Sequence, residues 1–315
     1  AQLRAGGDIR VDAGTERDVA SLTVAAAGGA TFGISGAVSY IGVGGRADSG
    51  AQSELSGSIA DAGSLASGNL TGGQASSDAG GTSASTQRVN TARSSVALTN
   101  DFNTVPVGTS AVASVGTGAT LNAGRDVAVL AHTQTDVKAT AAGVAVSGGV
   151  SLGGGVAIAR IDDDTRASVA GSLTAARRVL VQATDGQART SALTTYAGGG
   201  GLVGLGASVS LLDKTSRTLA EVAPDAHLTA LGSVAGDAAN PSGDVTILAG
   251  NTHSLKAEAL GAAVGLGGIG AAVAHANEAA SATAQVGDRA VITAKSLDVH
   301  GRSSTTTSAQ ATAAA

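Results

Sequence analysis

The sequence predicts an all-β chain, a parallel β-solenoid built from Gly/Ala-rich repeats of about 52–55 residues with inserted loops. Three observations predict it. Two short apolar elements recur in alternation along the chain. Both alternate apolar with small or polar residues at period two, the mark of half-buried strands. The composition also argues against a rounded core: 43% of residues are hydrophobic, yet Trp, Met and Cys are absent and the aromatics are only Phe32, Tyr40, Phe102 and Tyr196. Thin layers of Val, Leu, Ile, Ala and the 47 glycines can still interlock at close range.

The first element is Leu-x-Ala followed by an apolar-x-apolar pair. It runs through Leu3, Ala5, Ile9 and Val11; through Leu121, Ala123, Val127 and Val129; and through Leu173, Ala175, Val179 and Val181. It returns at Leu228, Ala230, Val245 and Ile247, then at Ile292, Ala294, Leu297 and Val299. The second element is apolar-x-apolar, three small residues, apolar-x-apolar. Its copies are Phe32, Ile34, Val38 and Tyr40; Val150, Leu152, Val156 and Ile158; Val203, Leu205, Val209 and Leu211; and an imperfect Gly267, Ile269, Val273 and His275. Equivalent residues recur after 52 to 55 positions, as from Leu121 to Leu173 and from Leu173 to Leu228. Parallel strands would pair them into ladders of like side chains. A unit this long is expected to make two or three turns, with Gly and Ala at tight corners between short strands.

The pattern implies one elongated solenoid segment over 1–315, interrupted twice. From 42 to 109 it fades into Ser, Gly, Ala, Asp and Thr, which reads as a degenerate repeat or an inserted loop. Residues 231–243, with Asn240-Pro241-Ser242-Gly243, read as a loop between the two strands of one element. Residue 1 falls inside a Leu-x-Ala element and the chain stops where the next glycine-rich element is due, as expected of a piece of a longer protein or a head-to-tail assembly. The lack of Cys excludes disulfides and thiolate metal sites and suits export through an oxidising compartment.

A net charge of −5 without a basic stripe argues against nucleic acid, and no apolar run is long enough to insert this segment in a membrane as a helix. Gly265 to Gly270 reads GLGGIG, the dinucleotide fingerprint, with Asp288 in range for a ribose. Aligned with its sisters it is a repeat corner instead, because Gly267 stands where they have Phe32, Val150 and Val203. Asp162-Asp163-Asp164 could attract calcium but lacks the spacing of a calcium loop, so a polar turn between strands is expected. His132, His227, His253, His275 and His300 show no metal-ligand spacing, and His275 is expected to be partly buried on its ladder. Thr305-Thr306-Thr307 has no in-phase partner elsewhere, so it reads as a solvated strand or end segment. Glu16, Glu54, Glu221, Glu258 and Glu278 are isolated along the chain, which with so few aromatics counts against a carbohydrate-cleaving β-helix. No catalytic, cofactor-binding or metal-binding residue is therefore assigned, no cofactor is expected, and the chain reads as a non-enzyme.

The run from Gly204 to Ala220, continuing to Leu228-Thr229-Ala230, resembles the repeats of bacterial filamentous haemagglutinin-like adhesins, especially leukotoxin-type filamentous adhesins. Gly153 to Ala175 and Gly267 to Ala294 extend the resemblance over about two-thirds of the chain. It implies a right-handed β-helical shaft, type V two-partner secretion and a place at the bacterial cell surface. Attachment to a host-cell or surface receptor follows from it, although the family's N-terminal secretion domain is not visible in this sequence. Identical subunits joined end to end, as a self-assembling sheath or matrix filament, are the alternative partners, and a carbohydrate-active β-helix is a second alternative function.

Overall fold

The structure is a computed structural model that describes residues 1–44, 110–186, 190–232 and 243–315. No helix occurs among them, and the strands form three parallel sheets. The arrangement is consistent with a β-solenoid. Sheet A is narrow: β1 (Gln2–Ala5), β5 (Thr120–Ala123), β8 (Ser172–Ala175), β12 (His227–Ala230) and β15 (Val291–Thr293) lie side by side in that order. Sheet B is broad, with β2 (Ile9–Gly29), β6 (Asp126–Ser147), the pair β9 (Arg178–Gly186) and β10 (Ser191–Gly200), β13 (Asp244–Val264) and β16 (Ser296–Ala314). Sheet C is equally broad, with β3 (Phe32–Val43) and β4 (Ala111–Val115) both on one side of β7 (Val150–Val169), then β11 (Val203–Val222) and β14 (Ile269–Val286). The chain visits A, B and C in turn and comes back one strand further along.

The register reproduces the repeats residue for residue. Leu3, Leu121, Leu173, Leu228 and Ile292 form one ladder of sheet A, while Val38, Val156, Val209 and Val273 form one of sheet C. The expected two or three turns per unit is corrected, because residues 52 to 55 apart are direct neighbours and each unit is a single passage through the three sheets. Strands of about twenty residues fill the length that short strands would have divided into several turns. Gly153-Gly154-Gly155 accordingly lies inside β7 and not at a corner.

Glycine serves instead to bring sheets B and C together. A Cβ on Gly153 would fall 2.1 Å from the Gly198 carbonyl oxygen, and one on Gly206 would fall 2.1 Å from that of Ala262. Both distances are far inside contact, so the two backbones converge until no side chain fits between them. The cross-section is a wedge. Its wide end, against sheet A, holds Val127, Val129, Leu173, Val181, Leu228 and Ile247. A second apolar cluster of Val137, Ile161, Leu193, Leu212 and Leu255 sits nearer the tip, beyond which the interior is Ala, Ser, Gly and Thr195.

The inserted-segment readings fall mostly on 45–109 and 233–242, outside the described residues. On either side of the first, Val43 pairs with Ile161 and Ala111 with Thr165, both on β7. The chain thus leaves and rejoins the same strand row.

Candidate functional site

Inward positions of sheets B and C alternate with outward ones, so the interior can be read down each ladder. Between the two apolar clusters the ladders turn polar. Sheet B contributes Thr15, Thr133, Asp185 and Asn251 on one ladder, with Arg17, Thr135 and His253 two residues further along their strands. Sheet C opposes them with Asp163 and Ser216, Lys214 and Glu278, Thr165 and Thr218. The result is a belt of charge across the inside of the wedge.

Asp163 is its hub. Its Oδ2 accepts from Lys214 Nζ at 2.8 Å, while Oδ1 accepts from Arg17 Nη1 at 3.0 Å and from Ser110 and Thr135 hydroxyls at 3.1 Å. The side chains of Asp163 and Lys214 have no exposed surface. The second centre is His253, whose Nδ1 is 2.5 Å from Glu278 Oε1 and whose Nε2 lies 3.1 Å from Asp185 Oδ2 as an ion-pair contact. Lys214 links the centres, 3.8 Å from Asp185 Oδ2. Ser216 donates to Asp185 and Thr218 to Asn251.

A buried charge is tolerable only when paired. Arg17, Lys214 and a protonated His253 would balance Asp163, Asp185 and Glu278 one for one. The titration of the two coupled groups follows that balance. Burial disfavours the charged imidazole, but Asp185 and Glu278 outweigh it and raise His253 above the ordinary histidine value. Burial likewise opposes ionisation of Asp185, yet His253, Lys214 and Ser216 hold its pKa below the usual carboxylate range.

Ser216, His253, Asp185 and Glu278 are residue types that also serve nucleophilic catalysis, but their connections are wrong for it. Ser216 donates to Asp185 and not to His253, and both imidazole nitrogens face carboxylates. No ring nitrogen is left to take the serine proton. The side chains of Asp185 and His253 are sealed from solvent and that of Glu278 nearly so, so a substrate has no approach. What the belt does is tie successive strand rows together, since Arg17, Asp163, Lys214 and Glu278 come from four consecutive ones.

The motifs singled out in the sequence are dispersed. Gly265 to Gly268 make the turn before β14, which begins at Ile269 as a strand, so the helix that a dinucleotide fingerprint requires is missing. Asp162-Asp163-Asp164 is corrected from a turn to the middle of β7, where alternation sends Asp163 inward and its neighbours outward. Three carboxylates on opposite faces of a strand cannot converge on one ion. His275 is corrected from partly buried to exposed, at 57% of its side chain, because its ladder faces outward. Glu16, Glu221 and Glu258 lie on outer faces with separate partners, Gln134, Arg166 and Lys256, while Glu54 lies outside the described residues. Thr305 to Thr307 lie in β16, exposed and in register with His253 to Leu255. Among the described residues no group of three or more His, Cys, Asp or Glu is placed to hold a metal.

Sequence reasoning passed over the belt. Its signal was parity: counting by twos from Val169 reaches Ala167, Thr165, Asp163 and Ile161, which places an aspartate on an otherwise uncharged inward row.

No family model, no curated protein and no solved structure matches this chain.

Proposed function

We propose that this chain is a shaft segment of an extracellular bacterial β-solenoid protein, right-handed in its winding, with a mechanical and adhesive role at the cell surface. The observation that carries the reading is the pairing of every strand row to the next by long parallel ladders, with a buried belt of ion pairs crossing those rows. Pulling along the stacking direction must then break ladders about twenty residues long together with the Asp163–Lys214 and His253–Glu278 pairs. A right-handed path is the near-universal choice for parallel crossover connections. The likeness of the Gly204–Ala220 repeat to filamentous haemagglutinin-like adhesins supports secretion by a two-partner route and a receptor on a host cell or surface.

Stretching a single molecule tests the mechanical part. A shaft unfolds in steps whose released length matches one 52–55-residue unit, whereas a single all-or-none release at low force would defeat the reading. Attachment is tested separately by displaying the chain on an inert bacterium and counting cells bound to a host-cell layer. Binding no better than the undisplayed strain would leave a shaft without adhesive function. The alternative, a self-assembling sheath or matrix filament, calls for concentration-dependent filaments in electron micrographs where the shaft reading calls for isolated rods.

A further inference from the structure

Among the described residues the largest fully buried side chain is a lysine, Lys214, and it lies between two aspartates. It projects inward from β11, as Asp163 does from β7, the neighbouring strand of sheet C. The register sets Lys214 beside Ile161 and Ser216 beside Asp163, so lysine and aspartate meet on a diagonal across one strand boundary. Their contact, Nζ to Oδ2, is 2.8 Å, and neither side chain has any exposed surface. An amine held against a carboxyl group, out of reach of water, is the reactant pair of an amide.

The two oxygens of Asp163 are differently placed. Oδ1 accepts from Arg17 Nη1 at 3.0 Å and from the Ser110 and Thr135 hydroxyls at 3.1 Å, the range in which donors stabilise the oxyanion of a tetrahedral intermediate. Oδ2 faces the amine. A second carboxylate, Asp185 of β9, comes within 3.8 Å of Lys214 Nζ through its Oδ2, while its buried Oδ1 accepts no hydrogen bond from any described residue. A buried oxygen without a partner calls for an explanation, and a proton relay beside the amine supplies one. Ion pairing alone asks for none of this asymmetry.

We propose that Lys214 and Asp163 join through an amide bond that closes inside the folded chain. The bond formed is Lys214 Nζ to Asp163 Cγ, and the bond broken is Cγ–Oδ2. The ammonium first passes a proton to Oδ2 along their hydrogen bond, leaving a neutral amine beside a neutral acid. The amine attacks Cγ, and the negative charge that develops on Oδ1 rests on Arg17, Ser110 and Thr135. Asp185 then takes a proton from the nitrogen and hands it to the Oδ2 hydroxyl, which departs as water while Oδ1 becomes the amide carbonyl. One ammonium and one carboxylate become one amide and one water, so no oxidant or activating group is consumed. Burial favours this direction, because it destabilises the charged forms and neutral groups of similar volume replace a buried ion pair at little or no cost. The charges that remain still balance, Arg17 and a protonated His253 against Asp185 and Glu278. Fixing the reactants together is worth effective molarities of about 10⁵ M and above. No substrate has to enter, so a sealed interior is no obstacle. The product is a covalent staple between two consecutive strand rows. This inference does not rest on the adhesive reading, because it concerns the covalent structure of the chain itself.

Intact-mass spectrometry of the whole chain, folded by circular dichroism and denatured just before injection, is the first test. The expected mass is that of the sequence less one water, and a folded chain at the full sequence mass overturns the proposal. An internal imide at Asp185-Gly186 would also remove a water, so a tryptic digest distinguishes the two. Cleavage after Arg160, Arg166, Arg189 and Arg217 should release peptide 161–166 joined to peptide 190–217, uncut at Lys214, with fragmentation placing the link on Asp163. The same peptides recovered apart, with cleavage after Lys214, overturn the proposal, and a link from Lys214 to peptide 179–189 overturns it in favour of Asp185. Lys214→Met should carry the full mass of its own sequence; a water still missing from it places the loss elsewhere and overturns the bond. In Asp185→Asn, followed by mass after cell-free synthesis, closure should slow by roughly a hundredfold. Closure at the native rate in that variant overturns the relay and the step written through it. Should Asp185→Asn fail to fold, the native peptide map decides alone. A chain that binds no cell and fails the stretching test can still lack a water, so this result and the shaft reading fail separately.

Discussion

The wide half of the wedge and its tip follow opposite rules. Near sheet A large side chains point inward, as with Val129, Leu173, Leu228 and Ile247. At the tip the interior is glycine and alanine, and the large side chains of the same strands stand outside, as with Val156, Ile158, Val209 and Leu211. One strand crosses from one regime to the other, with the belt of charge lying next to the change. The contrast teaches that the tip coheres through backbone approach and strand pairing, while the wide half coheres through apolar burial. The belt, at the join, is where a single loss matters most.

The sharpest way to break the comparison is at the belt itself. Lys214→Ala leaves Asp163 and Asp185 facing each other without their shared cation, and removal of one partner of a buried pair is expected to destabilise by about 3–5 kcal/mol in denaturant unfolding. Lys214→Met together with Asp163→Leu should recover only part of that, because the Arg17 guanidinium and the Ser110 and Thr135 hydroxyls then lose their acceptor. In the wide half, Leu228→Ala opens a cavity in a fully buried site and should cost about 2–5 kcal/mol. Val209→Ala, outside the tip, should cost the monomer well under half as much.

At the tip, Gly143→Ala drives a Cβ against the Gly154 carbonyl and is expected to destabilise by about 1–3 kcal/mol or more. Gly154→Ala, on the other side of the same contact, should be neutral or slightly stabilising by thermal melting, since the space is open and glycine gives up more freedom on folding. Equal effects for the two would show that the sheets do not converge as described.

The finest test is pH. The folded pKa of His253 is raised, so its contribution is fully present below the ordinary histidine value near 6.5 and is lost as pH rises through the raised folded value. Asp185 has a lowered pKa, so its contribution is present above the ordinary carboxylate value and is lost as pH falls through the folded one. Stability should therefore be greatest in mildly acidic solution and decline toward both sides. In His253→Gln the alkaline decline should disappear and the acid decline should shrink, since His253 is one of the groups that hold the Asp185 pKa down.

Much of the fold was legible because a ladder is a statement about equivalence, and equivalent residues look alike. Leu121, Leu173 and Leu228 align by residue type and spacing alone, and they are neighbours in sheet A. The corner after sheet C repeats too: Gly118, Asp225 and Arg289 all adopt positive φ, and the Arg289 and Asp225 side chains pair at 2.6 Å. Its left-handed position could not be read from Asp225 or Arg289, since only glycine advertises it. The belt was hidden for a different reason. Asp163, Asp185 and His253 look like surface residues of separate strands until the two sheets are laid face to face.

The sequence by itself determined the all-β class, the repeat and which residue stacks on which, because like side chains at a fixed interval specify parallel register. It could not determine which face of a strand is inside. Alternation is symmetric, and in β7 the apolar residues run Val156 and Ile158 and then switch parity to Ile161, Ala167 and Val169. Only the tertiary structure decided the matter. Sheets B and C converge, the narrowing space admits no side chain larger than threonine, and steric exclusion sends the larger groups outward at the tip and keeps them inward at the wide end.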